Sequence, residues 1–398
     1  MSNDRVIVAG AGPVGLTVAL ILAKHGVPVT VLEAEQGIVP SPRAIVYHPP
    51  TLEALGQVGV MEDLQAVGVL KQEFEYRDIS RAVLAKIDYK PLAGKTKYPF
   101  NLHLGQDRLA EVILSHLQRL PAAEVLWGHR VKGVEQTDDD VTAIAAVGDE
   151  DVKISGRWLV GADGAGSGTR RAVGLEFQGH TWPVRFVATN VLHNFELDGY
   201  GRGNFVIDPH HWAIIVILGR GDLWRLTFGE SNELPLETLK DRIAAKYRHF
   251  TDADIVDRIT AYSPYRVHER AAERFRVGRV LLAGDAAHAN NPCGGFGLTS
   301  GLLDAAALGY PLAAVFHGKQ DTTILDRYAN ERRRIFLEKT SPAASENLRR
   351  FEERDPERRR ADMERLRRLN EDAVFNLQAA LFTFSLASPE LSSPALLS

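Results

Sequence analysis

The stretch Val6-Ile-Val-Ala-Gly-Ala-Gly-Pro-Val-Gly15 decides the fold class. It opens with four apolar residues, as expected of a buried parallel strand. A helical pattern follows from Pro13 to His25 and ends at Gly26, and Val29-Thr-Val-Leu-Glu33 is the next apolar run. Strand, helix and strand in this order predict a βαβ unit at the start of an α/β fold.

A nucleotide-binding loop is predicted from three glycines of this stretch: Gly10, Gly12 and Gly15. In such a loop the first glycine makes a tight turn, the second lets the backbone approach a pyrophosphate, and the third permits close helix packing. The helix that begins at Pro13 directs the partial positive charge of its N-terminus at the phosphates. Glu33, at the end of the second strand, can accept hydrogen bonds from an adenosine ribose. The combination predicts a dinucleotide site, and a merely glycine-rich turn is the alternative.

The remaining chain alternates between two kinds of pattern. A helix is predicted over Asp107–Leu120, and a buried strand with a glycine-rich turn and helix is predicted from Val280. Between them, Phe186–Phe228 contains β-branched and aromatic runs separated by turn residues, which predict an antiparallel sheet. From about Leu325 the chain is helical and rich in charge. An α/β layer interrupted by a sheet domain is therefore expected.

Composition limits the functional classes. The chain has 398 residues, 45% hydrophobic and 25% charged, which favours two packed domains. The formal net charge of −4 argues against a nucleic-acid partner. The single cysteine, Cys293, excludes an internal disulfide and fits the cytoplasm. Apolar stretches such as Ala213–Leu218 fall short of the roughly 20 residues that a membrane helix needs, so we expect no membrane span.

Two later motifs distinguish FAD from NAD as the dinucleotide. Gly161-Ala-Asp-Gly164 closes a strand, and Gly284-Asp-Ala-Ala-His288 follows another strand about 120 residues later. Together with the first glycine motif, and in this order, they resemble the class A flavoprotein monooxygenases, the 4-hydroxybenzoate hydroxylase-like family. The resemblance covers roughly residues 1–345. It implies an enzyme that uses FAD, NADH or NADPH, and O2.

The resemblance also implies which residues hold the cofactor. Asp285 would bind the ribityl chain, Pro292 would face the flavin ring, and Arg43 would lie along the flavin and the phosphates of the nicotinamide cofactor. Backbone N–H groups at the helix start after Pro292 would stabilise an anionic reduced flavin. The implied FAD-binding positions are Gly10, Gly12, Pro13, Gly15, Glu33, Ala34, Arg43, Gln106, Arg130, Asp163, Gly164, Asp285, Pro292, Gly295, Gly297 and Leu298.

The nicotinamide cofactor has no glycine fingerprint of its own in this sequence, since the motif occurs once. In the family it binds transiently along a groove. Arg43 and Asp163 are the candidates that the resemblance supplies, and Arg266 and His268 are further candidates. The sequence does not choose between NADH and NADPH.

Within the family the sequence is similar to the single-component 4-nitrophenol 4-monooxygenases, through Ser41-Pro-Arg-Ala-Ile-Val-Tyr-His-Pro-Pro-Thr51 and Tyr265-Arg-Val-His268. This implies hydroxylation of a small phenol through a flavin C4a-hydroperoxide, with para-nitrophenol as a candidate that would yield benzoquinone and nitrite. Hydroxylation of a hydroxybenzoate, a hydroxypyridine or a natural-product aromatic is the alternative. An epoxidase, a Baeyer-Villiger-type oxygenase, a prenyl-chain reductase or a non-catalytic flavoprotein would keep the same motifs.

Substrate residues are expected on the antiparallel sheet. An electrophilic attack needs an electron-rich ring, so a base that favours phenolate accelerates it, and histidine is the natural base near neutral pH. His193 is the first choice, which makes His193, Pro292 and Arg43 the predicted catalytic group. Further pocket candidates are His48, Asn190, Asn204, Trp212, Trp224 and Cys293. For each of them, packing in the sheet or exposure at the surface is the competing interpretation. His288 is assigned to packing, and no metal is expected.

The predicted architecture is a Rossmann-like FAD-binding domain interleaved with an antiparallel β-sheet substrate domain, plus C-terminal helices. The FAD-binding domain would comprise 1–71, 99–180 and 266–345. The substrate domain would comprise 72–98 and 181–265, and 346–398 would form a helical segment and tail. A monomer or a homodimer is expected.

Overall fold

The computed structural model describes residues 3–40 and 44–397. The described residues form these strands: β1 (Val6–Ala9), β2 (Val29–Glu33), β3 (Val46–Tyr47), β4 (Val69–Lys71), β5 (Glu73–Arg77), β6 (Val83–Asp88), β7 (Asn101–His103), β8 (Ala123–Trp127), β9 (Arg130–Gln136), β10 (Val141–Val147), β11 (Glu150–Gly156), β12 (Trp158–Gly161), β13 (Phe177–Leu192), β14 (Gly203–Val206), β15 (Ala213–Ile217), β16 (Leu223–Ser231), β17 (Ile259–Ala272), β18 (Arg276–Val277), β19 (Val280–Leu282) and β20 (His288–Ala289). They form these α-helices: α1 (Pro13–Lys24), α2 (Pro49–Gln57), α3 (Met61–Val67), α4 (Gln106–Leu117), α5 (Gly168–Ala172), α6 (Leu239–Tyr247), α7 (Phe296–Phe316), α8 (Thr323–Ile335), α9 (Ser341–Glu352), α10 (Pro356–Glu371) and α11 (Ala373–Leu381).

A six-stranded sheet in the order β18-β19-β12-β1-β2-β8 forms the dinucleotide half of the molecule. Its central strand β1 pairs in parallel with β2 on one side and with β12 on the other. All four residues of β1 are buried, because helices α1 and α7 cover one face of the sheet and the small sheet of β9, β10 and β11 covers the other. The predicted βαβ start and the α/β class are confirmed.

The second half is an eight-stranded sheet in the order β20-β17-β13-β16-β15-β14-β5-β6. Its pairs are antiparallel except β14 with β5. The long strands β13 and β17 pair along most of their length, and both run past the domain boundaries predicted at 180 and 265. The division into domains therefore stays a prediction, and these two strands join the halves physically.

Helix α7 is longer than any apolar stretch expected from the sequence. It has 21 residues and is long and apolar enough to cross a membrane, by length and composition only. Inside the protein, 94% of its most apolar window is buried, and it packs against α1, α2 and α8. A core helix meets the same criteria. The sequence predicts a helix here but not its apolar length, because Asp304 and Pro311 interrupt the apolar pattern.

Asp304 is fully buried in α7 and ties three elements together. Its Oδ1 accepts a hydrogen bond from Arg332 Nε at 2.7 Å, and its Oδ2 lies 2.6 Å from His288 Nε2 and 3.0 Å from the Gly284 N–H. Burial alone would raise the pKa of Asp304, but the neighbouring His288 and Arg332 outweigh it and hold that pKa below its usual value. His288 thus has the packing role that the sequence analysis gave it.

The C-terminal helices lie across the open edge of the large sheet. Helices α10 and α11 contact β6, and Asn376 donates a hydrogen bond to the Lys86 carbonyl at 2.7 Å while accepting one from the Asp88 N–H at 3.0 Å. Helix α9 follows α8 through a π-helical turn, Phe336–Thr340. The helical C-terminus is confirmed, although the boundary predicted at 346 falls inside α9.

Candidate active site

One cavity of about 910 Å³ lies between the two halves. It contains nine of the positions that the sequence analysis proposed for FAD, namely Gly12, Pro13, Gln106, Gly164, Asp285, Pro292, Gly295, Gly297 and Leu298. Its opposite wall is the inner face of the eight-stranded sheet, and helices α9 and α11 close one side. The described structure therefore brings the three sequence motifs together in one space with the predicted substrate sheet.

The glycine loop is shaped by close backbone contacts. Gly10 has a φ of +104°, and a Cβ there would lie 2.4 Å from the Ala162 carbonyl oxygen. A Cβ on Gly15 would lie 2.0 Å from the Gly10 oxygen. A Cβ on Gly12, by contrast, would meet no described atom within 4 Å and would project into the cavity region. The loop thus keeps a backbone-lined space at the N-terminus of α1, which fits a pyrophosphate.

Glu33 holds this loop from the neighbouring strand. Its Oε2 accepts a hydrogen bond from the Ala11 N–H at 2.7 Å, and its Oε1 accepts one from the Glu35 N–H at 2.9 Å. Ala34 follows at the carboxyl end of β2, and Arg130 lies nearby with its guanidinium 3.2 Å from Glu35. The group sits where an adenosine is expected, outside the cavity itself. Its role in binding a ribose stays a prediction.

Asp163 does not face the cavity, in contrast to the glycine that follows it. Its carboxylate accepts hydrogen bonds from the Ser167 hydroxyl at 2.5 Å and from the Thr169 N–H and hydroxyl at 2.9 and 3.0 Å. The side chain therefore fixes the first turn of α5, while Gly164 and Ala165 present backbone to the cavity. Asp163 is better described as a positioning residue for this loop.

The loop before α7 brings a histidine to the cavity. Gly295, with a φ of +71°, caps α7, and its N–H donates to the Pro292 carbonyl at 3.0 Å. The Nε2 of His48 lies 2.8 Å from the Gly294 carbonyl oxygen. Because a carbonyl only accepts, Nε2 carries the proton and Nδ1 is the acceptor. Burial lowers the pKa of His48, so the ring is neutral at physiological pH.

His193, the first choice for the base, lies on the wrong face of the sheet. Its Nε2 is 2.5 Å from Asp198 and 3.3 Å from the Thr251 hydroxyl, and its ring packs edge-on against Phe195. Side chains alternate along a strand, and Ala188 of β13 faces the cavity. His193 follows the odd-numbered series that packs under α6. The structure therefore places His193 away from the cavity, because the sequence pattern did not reveal which residues of the strand face it.

Four other pocket candidates also fail to line the cavity. Asn204 is buried, and its side-chain amide forms hydrogen bonds with Arg77, Gly201 and Ile215. Trp224 lies in the cluster beneath α6, and Trp212 packs between Phe186 and Phe351. Asn190 contacts a residue that does line the cavity, because its Oδ1 accepts a hydrogen bond from Arg225 Nε at 2.9 Å.

The remaining candidates divide three ways. Arg43 lies outside the described residues. Arg266 and His268 line the cavity on β17. Cys293 lies in the loop before α7 and is fully buried, but it does not line the cavity. Burial raises the pKa of its thiol well above the usual value.

A buried arginine on the sheet was not among the predicted pocket residues. Arg225 of β16 lines the cavity although it is only 3% exposed. Burial is the main cause that lowers its pKa to about 10, while the nearby Tyr265 and Asp107 oppose that shift. It therefore remains charged at neutral pH. A lone arginine in a β-strand carries no motif, so only the register of β13 and β16 reveals it.

A group of buried polar side chains beside His48 was also missed or undervalued. Asn101 and His103 are fully buried on β7, and their side-chain nitrogens and oxygen have no hydrogen-bond partner within the described residues. The Nδ1 of His48 lacks one as well. Asn101 lies beside both His48 and Tyr89, and the latter lines the cavity. Buried unpaired groups are rare and costly, and of these three residues only His48 lines the cavity, so its Nδ1 is the group that a polar ligand could reach.

Comparison with known proteins agrees with this geometry. Residues 4–340 match the family model described as "FAD binding domain". The chain is 44% identical over 375 residues to the para-nitrophenol 4-monooxygenase of Pseudomonas sp. (strain WBC-3), which covers 94% of this chain and 91% of the relative. It is 42% identical to the 6-hydroxy-3-succinoylpyridine 3-monooxygenase HspB of Pseudomonas putida (strain DSM 28022 / S16), over 89% of this chain and 90% of that one.

A solved structure is similar over nearly the whole fold. The crystal structure of p-nitrophenol 4-monooxygenase PnpA from Pseudomonas putida DLL-E4 superposes with a TM-score of 0.93 at 42% identity. The match covers 96% of this chain and 98% of that one.

Proposed function

Since this chain belongs to the FAD binding domain family and is a flavin-dependent monooxygenase that uses FAD, NAD(P)H and O2, we propose that it oxygenates a small phenolic ring at the carbon para to the hydroxyl group. Both relatives' names support this position. They specify carbon 4 of para-nitrophenol, and carbon 3 of a pyridine whose hydroxyl is on carbon 6. In each case the oxygenated carbon already bears the para substituent.

The observation that carries the proposal is the position of His48. Its protonated nitrogen is anchored 2.8 Å from the carbonyl of Gly294, in the loop proposed to hold the flavin, and its Nδ1 is buried and unpartnered among the described residues. We assign to Nδ1 the acceptance of the phenol proton, with Asn101 and Tyr89 beside it to orient the hydroxyl. Formation of phenolate makes the para carbon electron-rich, which an electrophilic oxygen transfer requires.

FAD fits the other side of the cavity. Gly12 and Pro13 would hold the pyrophosphate, Gln106 and Asp285 the ribityl region, and the loop from Pro292 the ring. Bound at these residues, FAD would supply the acceptance of a hydride and the transfer of oxygen to the substrate. The residues of this chain contribute the binding surface, the exclusion of water and the backbone dipoles of α7.

The nicotinamide cofactor would approach along β17. Arg266 and His268 line the cavity there, and Arg43 and Asp163 remain the candidates that the family resemblance supplies. We propose NADH or NADPH as a transient partner at this edge of the sheet, distinct from the substrate end.

Para-nitrophenol is the first substrate to test. Its reaction would consume the neutral phenol, NADPH and O2 and give benzoquinone, nitrite, NADP+ and water, a balance in which one oxygen atom enters the ring and the other leaves as water. A hydroxypyridine is the second candidate, because identity to the pyridine-oxidising relative is nearly the same as to the nitrophenol-oxidising one, at 42% against 44%. We further propose a cytoplasmic monomer or homodimer that binds neither nucleic acid nor membranes.

The test is oxidation of NADH and NADPH by the FAD-loaded protein across 4-nitrophenol, hydroquinones, hydroxybenzoates and hydroxypyridines. We expect stimulation by at least one para-substituted phenol or hydroxypyridine, with a matching oxygenated product and loss of the substituent. Product analysis separates oxygenation from futile oxidation. If no aromatic stimulates the reaction, the epoxidase or reductase interpretation replaces this proposal.

A further inference from the structure

Two arginines from the C-terminal helices line the cavity on the side of β5. Arg350 is near the end of α9, and Arg365 is in the middle of α10. Both act on the same cavity residue, because each guanidinium lowers the pKa of Tyr76, which burial otherwise raises. The two guanidinium groups therefore converge on one part of the cavity wall.

The positive charge at this place is only partly compensated. Arg350 Nη2 lies 2.9 Å from Glu346, while its buried Nε lacks a hydrogen-bond partner and is 3.5 Å from Asp362. Arg365 forms no ion pair within the described ranges 3–40 and 44–397. Arg350 thus has two carboxylate neighbours, Glu346 and Asp362, whereas Arg365 has none within these ranges. The guanidinium of Arg365 is therefore the group that is open to an anion.

Two like charges held together in a half-buried wall repel each other, and Glu346 and Asp362 offset this repulsion at Arg350 only. Burial lowers the pKa of Arg350, and the proximity of Arg365 lowers it further. The side chain of Arg350 retains 22% exposure, so the pair lies where ligands can reach it. A bound anion would relieve both costs.

The pair shares the cavity with His48 and Tyr89, which also line it. Tyr89 interacts electrostatically with Tyr76, and Tyr76 interacts in the same way with Arg365. A ring whose hydroxyl meets His48 would extend its para substituent towards the two arginines.

We propose that Arg350 and Arg365 form a subsite for a carboxylate at the end of the substrate's para side chain. The inference rests on the proposed function and narrows it to a hydroxylated ring with an acidic acyl or alkyl chain. The succinoyl group in the name of one relative's substrate is such a chain. A nitro group, which is neutral overall, would use the charge less.

A phosphate of the nicotinamide cofactor is a less suitable occupant. Helix α9 begins beside β17, where Ser341 and Ser345 donate hydrogen bonds to Glu269. Arg350 is nine residues after Ser341, roughly 13 Å along the helix axis at 1.5 Å per residue. It is thus separated from the edge where Arg266 and His268 are proposed to meet the cofactor. The single guanidinium without a carboxylate neighbour, that of Arg365, also matches a carboxylate better than a phosphate dianion.

The experiment compares 6-hydroxy-3-succinoylpyridine with its methyl ester on the FAD-loaded enzyme. Dissociation constants come from perturbation of the flavin spectrum, and KM comes from turnover. In Arg365→Met we expect affinity for the acid to fall about 10- to 100-fold, as for a lost charge-assisted hydrogen bond, with the ester little changed. Arg365→Lys should restore part of the affinity. Arg367→Met is the matched control, since Arg367 is on the same helix but pairs with Glu364 and Glu371 outside the cavity.

Three results would overturn the subsite. These are equal losses for acid and ester, a raised KM for NADH or NADPH without an effect on the acid, and no binding of the acid to the wild-type enzyme. FAD content and melting temperature identify a variant that is merely misfolded, in which case Arg350→Met is measured instead. Binding of the acid that depends on Arg365 without turnover would support the subsite and count against the proposed reaction alone.

Discussion

The two walls of the cavity recognise their ligands by different means. The dinucleotide wall is built from backbone, since Gly12, Gly164 and Gly295 all face the cavity. The sheet wall is built from side chains, among them Arg225 of β16 and Tyr76 of β5. A wall made of backbone tolerates few substitutions because any Cβ would occupy ligand or protein space. A wall made of side chains can change its ligand by exchanging single residues.

The largest expected effect tests whether the backbone wall is as intolerant as its geometry indicates. Gly10→Ala should abolish FAD binding and activity, because the new Cβ would lie 2.4 Å from the Ala162 oxygen at a φ of +104°. Gly12→Ala should fold normally, since its Cβ meets no described atom within 4 Å, but should bind FAD more weakly. The measurement is the ratio of FAD to protein from visible absorbance, with thermal melting. Normal FAD content in Gly10→Ala would show that the backbone wall tolerates an added Cβ and does not differ from the sheet wall in this respect.

The next effect concerns the support of the same wall. Asp304→Asn leaves Arg332 charged and buried without its partner, which should cost roughly 3–5 kcal/mol of unfolding free energy. Denaturant unfolding measures this, and Glu364→Gln on the surface of α10 is the control, with no change in melting temperature expected. Because the pKa of Asp304 is lower in the folded state, its stabilisation is complete at neutral pH and is lost only as the pH falls below the usual carboxyl range. Retained stability in Asp304→Asn would show that this network is dispensable.

The third prediction separates the two faces of the sheet. His48→Gln should lower kcat roughly 100-fold, as for loss of a general base. His193→Gln should leave kcat of the folded enzyme unchanged while lowering stability by about 1–3 kcal/mol, because its bond to Asp198 is buried. Since burial lowers the pKa of His48, kcat/KM should stay constant from neutral pH down past 6.5 and fall only in more acidic buffer. Loss of kcat in His193→Gln with His48→Gln unaffected would reverse the assignment.

The same contrast explains what the sequence could reveal. The strand bounds of β2 and the glycine loop were predictable because a tight turn, a close helix contact and a phosphate each require a residue type at a fixed spacing. His193 and Trp224 lie away from the cavity because a one-residue step moves a side chain to the other face of a strand, and the sequence alone does not fix that step. Arg225 carries no motif, so only the register of the folded sheet brings it to the cavity. Helix α9 reaches the site through packing that no local pattern encodes.

The smallest expected effect concerns Cys293, which lies directly after Pro292 in the backbone wall and invites a redox role. It is fully buried, and burial raises the pKa of its thiol, so the reactive thiolate is scarce at neutral pH. What the loop uses at this position is the backbone, because the Cys293 N–H donates to Asn291 Oδ1 at 3.0 Å and its carbonyl accepts from Asn347 at 3.4 Å. Cys293→Ala keeps both bonds and should retain activity within about twofold, with a loss of roughly 1 kcal/mol from the smaller side chain. Iodoacetamide should likewise leave the native enzyme active, and rapid inactivation by it would mean that this loop also works through a side chain.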